Sequence, residues 1–173
     1  PGYESKDIIS FNNGTSLTIV MEQSGSSSTI TTTEHSLPNG GNHTTSSSSI
    51  TELYGTLIIP TFSANGELTN MEYIEKDRNE IPCGLASNED KLYLFFQDSK
   101  DKEEAKNLNG KSSWKYLDLV TLNPKGEIIN RKVVSSRKQN KLPFNTEICS
   151  LDGKNLLLFR SVSNVFMLGI LKL

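Results

Sequence analysis

The residues that could carry nucleophilic or zinc chemistry are few: two histidines, His35 and His43, and two cysteines, Cys83 and Cys149. A serine or cysteine nucleophile needs a base within hydrogen-bond reach and a third group to orient that base. Both histidines lie in residues 24–49, a stretch crowded with Ser, Thr, Gly and Asn whose one acidic residue is Glu34. Small polar neighbours offer little packing to hold an imidazole in one rotamer, so both read as solvated loop histidines, and no catalytic residue is assigned. Zinc needs three or four converging ligands, whereas the cysteines stand 66 residues apart and no His-x-x-x-His occurs. Asp98, Asp101, Glu103 and Glu104 crowd one segment as a calcium site would, but Lys100, Lys102 and Lys106 interleave with them. That segment reads as a solvated charged loop, and neither a metal nor a cofactor is expected.

Paired carboxylates in a cleft hydrolyse glycosides, but the acidic residues here fall mostly at turns or at outward strand positions. Trp114, the single tryptophan, opens an apolar strand and is expected to pack rather than to stack a sugar. The basic residues Arg131, Lys132, Arg137, Lys138 and Lys141 lack the interleaved aromatics of a single-strand nucleic-acid groove. Their expected role is to guard an exposed sheet edge.

The elements that would position any site repeat along the chain. Leu57 to Phe62 followed by Asn65-Gly66 aligns without a gap, 60 residues on, with Leu117 to Leu122 followed by Lys125-Gly126. Alternating apolar positions and a glycine turn make each a strand, a reversal and a strand. A polar turn before an apolar strand occurs three times, ahead of Leu17 to Met21, Leu92 to Phe96 and Leu156 to Phe159. Short strands precede these turns at Asp7 to Phe11, Pro82 to Ser87 and Asn145 to Ser150. No window sustains helical periodicity; the best, Lys100 to Leu108, is at most a helical turn within a loop.

The chain therefore reads as one all-β repeat segment over residues 1–173, with blade-like units at 7–76, 82–135 and 145–173, the first two four-stranded and the third lacking its outer strand. Such units arranged around an axis are the blades of a β-propeller, here partial, and the same hairpins could instead build a β-sandwich or a β-solenoid. The third unit stops after its third strand, Asn164 to Leu173, so its outer edge is expected to be completed by a strand upstream of Pro1 or by a partner chain. A start at Pro1, without methionine or leader, fits a segment of a longer product. Residues 24–49 are expected as a polar loop insertion between the second and third strands. Cys83 and Cys149, on equivalent inner strands, are expected as two buried thiols.

The order of these segments resembles a group of cell-envelope proteins of Bacteroidota-type bacteria that also look propeller-like. The resemblance is carried by Leu17-Thr18-Ile19-Val20-Met21-Glu22-Gln23, by Leu57 to Thr61, by Met71-Glu72-Tyr73-Ile74-Glu75-Lys76-Asp77 with its Ile-x-Lys ending, and by Lys91 to Ser99. It spans most of the chain. Met71 or Glu72 stands where a tryptophan is usual, and Gln97-Asp98 where Asn-Asp is usual. What it implies is a fold and an extracytoplasmic place, in the periplasm or at the outer-membrane surface, without a reaction.

Near-balanced charge, 18 Lys plus Arg against 20 Asp plus Glu, provides no basic field for nucleic acid. No apolar run approaches the length of a membrane helix. Asn13-Gly14-Thr15 and Asn42-His43-Thr44 match the glycosylation pattern, as chance permits in a Ser/Thr-rich chain. The resulting expectation is a non-enzymatic binding or scaffold module of the bacterial envelope that holds a protein or glycan partner through long loops. The alternative is a hydrolase or lyase propeller whose active site lies in blades outside this segment.

Overall fold

The computed structural model describes residues 2–11, 14–36, 40, 42–77, 82–98, 116–136, 145–152, 155–162 and 165–172. Its regular elements are β-strands, with no α-helix among the described residues. Three antiparallel meanders follow one another. The first contains β1 (Gly2–Phe11), β2 (Ser16–Ser36), β3 (Asn42–Ser63) and β4 (Leu68–Ile74) in sequence order. The second contains β5 (Gly84–Ser87), β6 (Leu92–Asp98), β7 (Tyr116–Leu122) and β8 (Ile128–Ser136), and the third β9 (Asn145–Asp152), β10 (Asn155–Val162) and β11 (Val165–Lys172). All-β architecture is as the alternation of apolar residues requires. No sheet closes on itself among the described residues.

The middle sheet is covered on both faces. Every residue of β6 is buried, as are Leu117 to Leu122 of β7. Leu92, Leu94, Phe96, Val120 and Leu122 meet Ile9, Phe11, Val20, Leu57, Ile59 and Ile74 of the first sheet. On the other face Tyr93, Phe95, Leu117 and Leu119 form a second cluster, joined by Leu171 of β11. An antiparallel sheet with one wet face shows alternating burial; β6 shows none, because neighbouring sheets take both of its faces. The innermost strands of the second and third sheets, β5 and β9, lie side by side.

The two hairpins predicted at the glycine turns form with matching geometry. Gly66 N–H donates to the Ser63 carbonyl at 2.9 Å and Ser63 N–H to that of Glu67 at 2.8 Å; the Gly126 and Asn123 pairs repeat this at 2.9 and 3.0 Å. Each three-residue loop ends on a left-handed glycine, with φ of 81° at Gly66 and 79° at Gly126, the residue that accepts this conformation without a Cβ clash. The surroundings differ. A Cβ on Gly66 would meet nothing within 4 Å, whereas one on Gly126 would fall 2.0 Å from Thr61 Oγ1 of the first sheet. The second turn is thus a contact between sheets, and the Ser16 hydroxyl donates to the Pro124 carbonyl beside it at 2.7 Å.

Several expectations need amendment or a statement of scope. Residues 24–36 and 42–49 form no loop: β2 and β3 run on as a paired hairpin through them, because runs of Ser and Thr are tolerated in an exposed strand and the two polar runs pair in register. Cys83 is a buried thiol outside any disulfide, while the Cys149 side chain lies outside the described residues. So do Trp114, Lys100 to Leu108, and the basic residues from Arg137 to Lys141.

The glycine pair yields a direct test of sheet packing. Gly66→Ala should cost about 1–2 kcal/mol, the penalty for a left-handed L-residue. Gly126→Ala should cost ~1–3 kcal/mol more, because the added methyl overpacks against Thr61. Urea unfolding of both variants reads the difference, and equal losses would show that the second turn does not bear on the first sheet.

Candidate functional site

Two groups of charged side chains and one surface element stand out from this scaffold. The first group centres on Glu22, which continues the inward register of Thr18 and Val20 and is fully buried. Its carboxylate is paired with the Lys76 ammonium, whose side chain is also fully buried. Both carboxylate oxygens accept the Cys83 backbone N–H, each at 3.0 Å, and Lys6 approaches Glu22 at 3.5 Å. Lys6 is the extra residue of a bulge in β1, where the register shifts between Ser5 and Asp7; bulges of this kind re-aim a side chain. Its ammonium also sits 4.5 Å from the centre of the Tyr54 ring.

In the second group the Arg131 guanidinium donates to Asp118 Oδ2 from Nε at 3.1 Å and from Nη2 at 2.9 Å, and to Asp98 Oδ2 at 3.3 Å. It lies 5.5 Å from the centre of the Phe96 ring. Asp98 also accepts the Asp77 backbone N–H at 3.1 Å. Arg131 and Lys132 lie on β8, an edge strand of the second sheet, and the Arg131 guanidinium folds back from that edge onto two carboxylates of the same sheet.

Both groups close on the connection between the first two sheets. Lys76 and Cys83 are bound to Glu22 of the first sheet, and Asp77 to Asp98 of the second, so each end of that crossing is held by a buried carboxylate. These contacts tie the crossing to both sheets. The sequence places Asp98 in a solvated charged loop with Asp101, Glu103 and Glu104; Asp98 is instead the buried last residue of β6, where Arg131 and the Asp77 N–H reach it, while neither Glu22 nor Asp118 is singled out there as a buried charge. The period-two register Thr18, Val20, Glu22 was the available signal, since it puts the carboxylate on the apolar face. No group of three or more His, Cys, Asp or Glu side chains suited to a metal ion occurs among the described residues.

The surface element is the hairpin of β2 and β3. β1 pairs with β2 only as far as Ser24, and β4 with β3 only as far as Leu57. Beyond these points the two strands pair with each other, from Ser24 with Tyr54 to Ser36 with Asn42, and no third strand joins them among the described residues. Residues 26–35 and 42–50 are exposed throughout, and at ~3.3 Å per residue the arm extends roughly 30 Å from the sheets. Its base is shaped by a register shift between Glu22 and Ser24, and a Cβ on Gly55 there would meet Gln23 Oε1 at 2.7 Å.

The two faces of the arm differ. One carries Ser27 opposite Thr51, Thr29 opposite Ser49, Thr31 opposite Ser47, Thr33 opposite Thr45 and His35 opposite His43. The other carries Ile30 and Ile50 on a diagonal, 72% and 77% exposed, with Glu34 and Glu52 beyond them. The two histidines, read separately as solvated loop residues, are thus ordered on strands and brought together. Their register could not be seen from spacing alone, because it depends on where the hairpin turns.

Replacing Glu22 by Gln should cost about 3–5 kcal/mol, since it leaves the Lys76 ammonium buried without its counter-charge. Adding Lys76→Met should recover most of that loss, because the unpaired charge is then gone. Chemical denaturation of the single and double variants measures both steps; a single variant as stable as the parent would mean that the pair does not hold the crossing. No protein-family model, no curated protein and no solved structure matches the chain, so the functional reading rests on this geometry.

Proposed function

We propose that this chain is a non-enzymatic binding or scaffold module of the bacterial cell envelope, with the β2–β3 arm as the element that contacts a protein or glycan partner. The observation that carries this reading is the arm itself. A two-stranded ribbon in water is marginal on its own, and here more than twenty residues are spent on one that buries almost nothing. Rigid scaffolds that present variable surface segments are the common architecture of recognition. The hydroxyl-rich face suits hydrogen bonding to a glycan or to a strand, while Ile30 and Ile50 supply an apolar anchor on the reverse. The Ser/Thr composition of the arm and the resemblance to envelope proteins support an extracytoplasmic place.

The same reading takes the three meanders as successive blades of a β-propeller. Face-to-face packing of four-stranded meanders and the adjacency of β5 and β9 support it. So do the outward faces at the two ends of the stack, which stay apolar: Ile8 and Tyr73 on the first sheet, Leu168 and Ile170 on the third. Further blades would cover both faces and pair with the outer edge of β11, beside which no strand lies among the described residues. No helix among the described residues is long and apolar enough to cross a membrane.

The register dictates how to test the binding role. Ser26 pairs with Glu52, so removing residues 27–51 and joining the ends through an Asn-Gly turn trims the arm without disturbing the sheets. The trimmed protein should keep its melting temperature within a few degrees, as the arm adds little core, yet lose its partners in crosslinking from intact envelopes and its glycan signals on an array. Retention of the same partners and signals by the trimmed chain would refute the assignment.

A further inference from the structure

At the far end of the arm, His35 on β2 stands directly opposite His43 on β3. We propose that this cross-strand pair is a binding site for a divalent transition-metal ion of the zinc, copper or nickel type, with the two imidazoles as its protein ligands. The inference rests on the register of the arm and does not require the partner-binding role.

Directly opposed residues of an antiparallel pair project from the same face with Cβ atoms about 4.5–5.5 Å apart. Two imidazoles rooted at that separation can converge on one ion at the Zn–N distance of about 2.0–2.1 Å. Imidazole is a donor suited to zinc, copper and nickel, and ill suited to calcium or magnesium. Both histidines are exposed, so a hydrated ion reaches them without any rearrangement of the core. The next pairs on their face, Thr33 with Thr45 and Thr31 with Ser47, are uncharged, and among the described residues of the arm no ammonium stands there to repel a cation.

Glu34 belongs to the opposite face, so its carboxylate is not placed as a third ligand. The ion would keep open positions for water, or for a donor brought by a bound molecule, as open sites do. The arm also has a use for such an ion. It is held at its base by the sheets and at its free end by strand pairing alone, and a bridge between His35 and His43 would clamp the end where fraying starts. Metal binding and ordering of the ribbon would then be coupled, each favouring the other.

Zinc chloride titrated into the untagged full chain by calorimetry tests the site, with hydrogen exchange followed along the arm. One zinc per chain is expected, and His35→Ala and His43→Ala should each weaken it by at least the roughly tenfold loss that even outer-shell changes cause at metal sites. Both positions are exposed, so the variants should match the parent by circular dichroism. Zinc should also slow exchange across residues 26–35 and 42–50 in the parent and in neither variant. Zinc binding of parental strength in both variants, or a parent that takes up no zinc at millimolar concentration, would overturn the proposal.

Discussion

A β-sheet that is apolar on both faces is stable only between two other layers, and the rest of this fold follows from that demand. β6 presents Leu92, Leu94 and Phe96 to one side and Tyr93 and Phe95 to the other, all buried. Removing apolar surface from water is worth about 25 cal/mol per Å², so five large side chains on one strand bind the middle sheet to both neighbours. The first and third meanders each use one face in this contact. Their remaining faces are left outward, and those still carry Ile8, Tyr73, Leu168 and Ile170.

Apolar contact alone tolerates sliding, and the buried charges remove that freedom. Taking a carboxylate out of water costs several kcal/mol unless its partners are placed to replace the water. Glu22 has such partners in Lys76 and the Cys83 N–H, and Asp98 and Asp118 have them in Arg131 and the Asp77 N–H. Both sets of contacts come together in one arrangement of the crossing between the first two sheets, although Asp118 Oδ1 is buried without a hydrogen-bond partner among the described residues, so the polar groups favour that arrangement while the apolar ones supply most of the attraction. Gly126 adds a steric condition of the same kind, since the turn it closes approaches Thr61 more nearly than any side chain would permit.

The arm obeys a different logic. Once β1 and β4 stop pairing, the two strands have no core to cover, and their residues become Ser and Thr in place of Val, Leu and Phe. Strand pairing persists because β-branched Thr favours the extended backbone and the cross-strand hydroxyl pairs are compatible. Such a ribbon contributes little to the stability of the sheets, which leaves its composition open to be set by what it meets in solution.

The sequence by itself determined the strands and their reversals. The period-two pattern of Leu57 and Ile59, and of Leu117 and Leu119, together with Gly66 and Gly126 at the turns, is local information that any packing must respect, and these elements form where the pattern places them. It also determined that the chain is all-β, because no window offers a helix an apolar stripe. The tertiary structure alone decided the rest. Residues 24–49 look like a loop because polar composition reports exposure and not backbone shape, and an exposed strand differs from a loop only in having a partner. The register of Thr18 and Val20 puts Glu22 on the apolar face, but the sequence does not show that Lys76 and the Cys83 N–H come back to meet it across the crossing. His35 and His43 looked unrelated for the same reason: pairing depends on the register of two strands, and the register depends on where the chain turns.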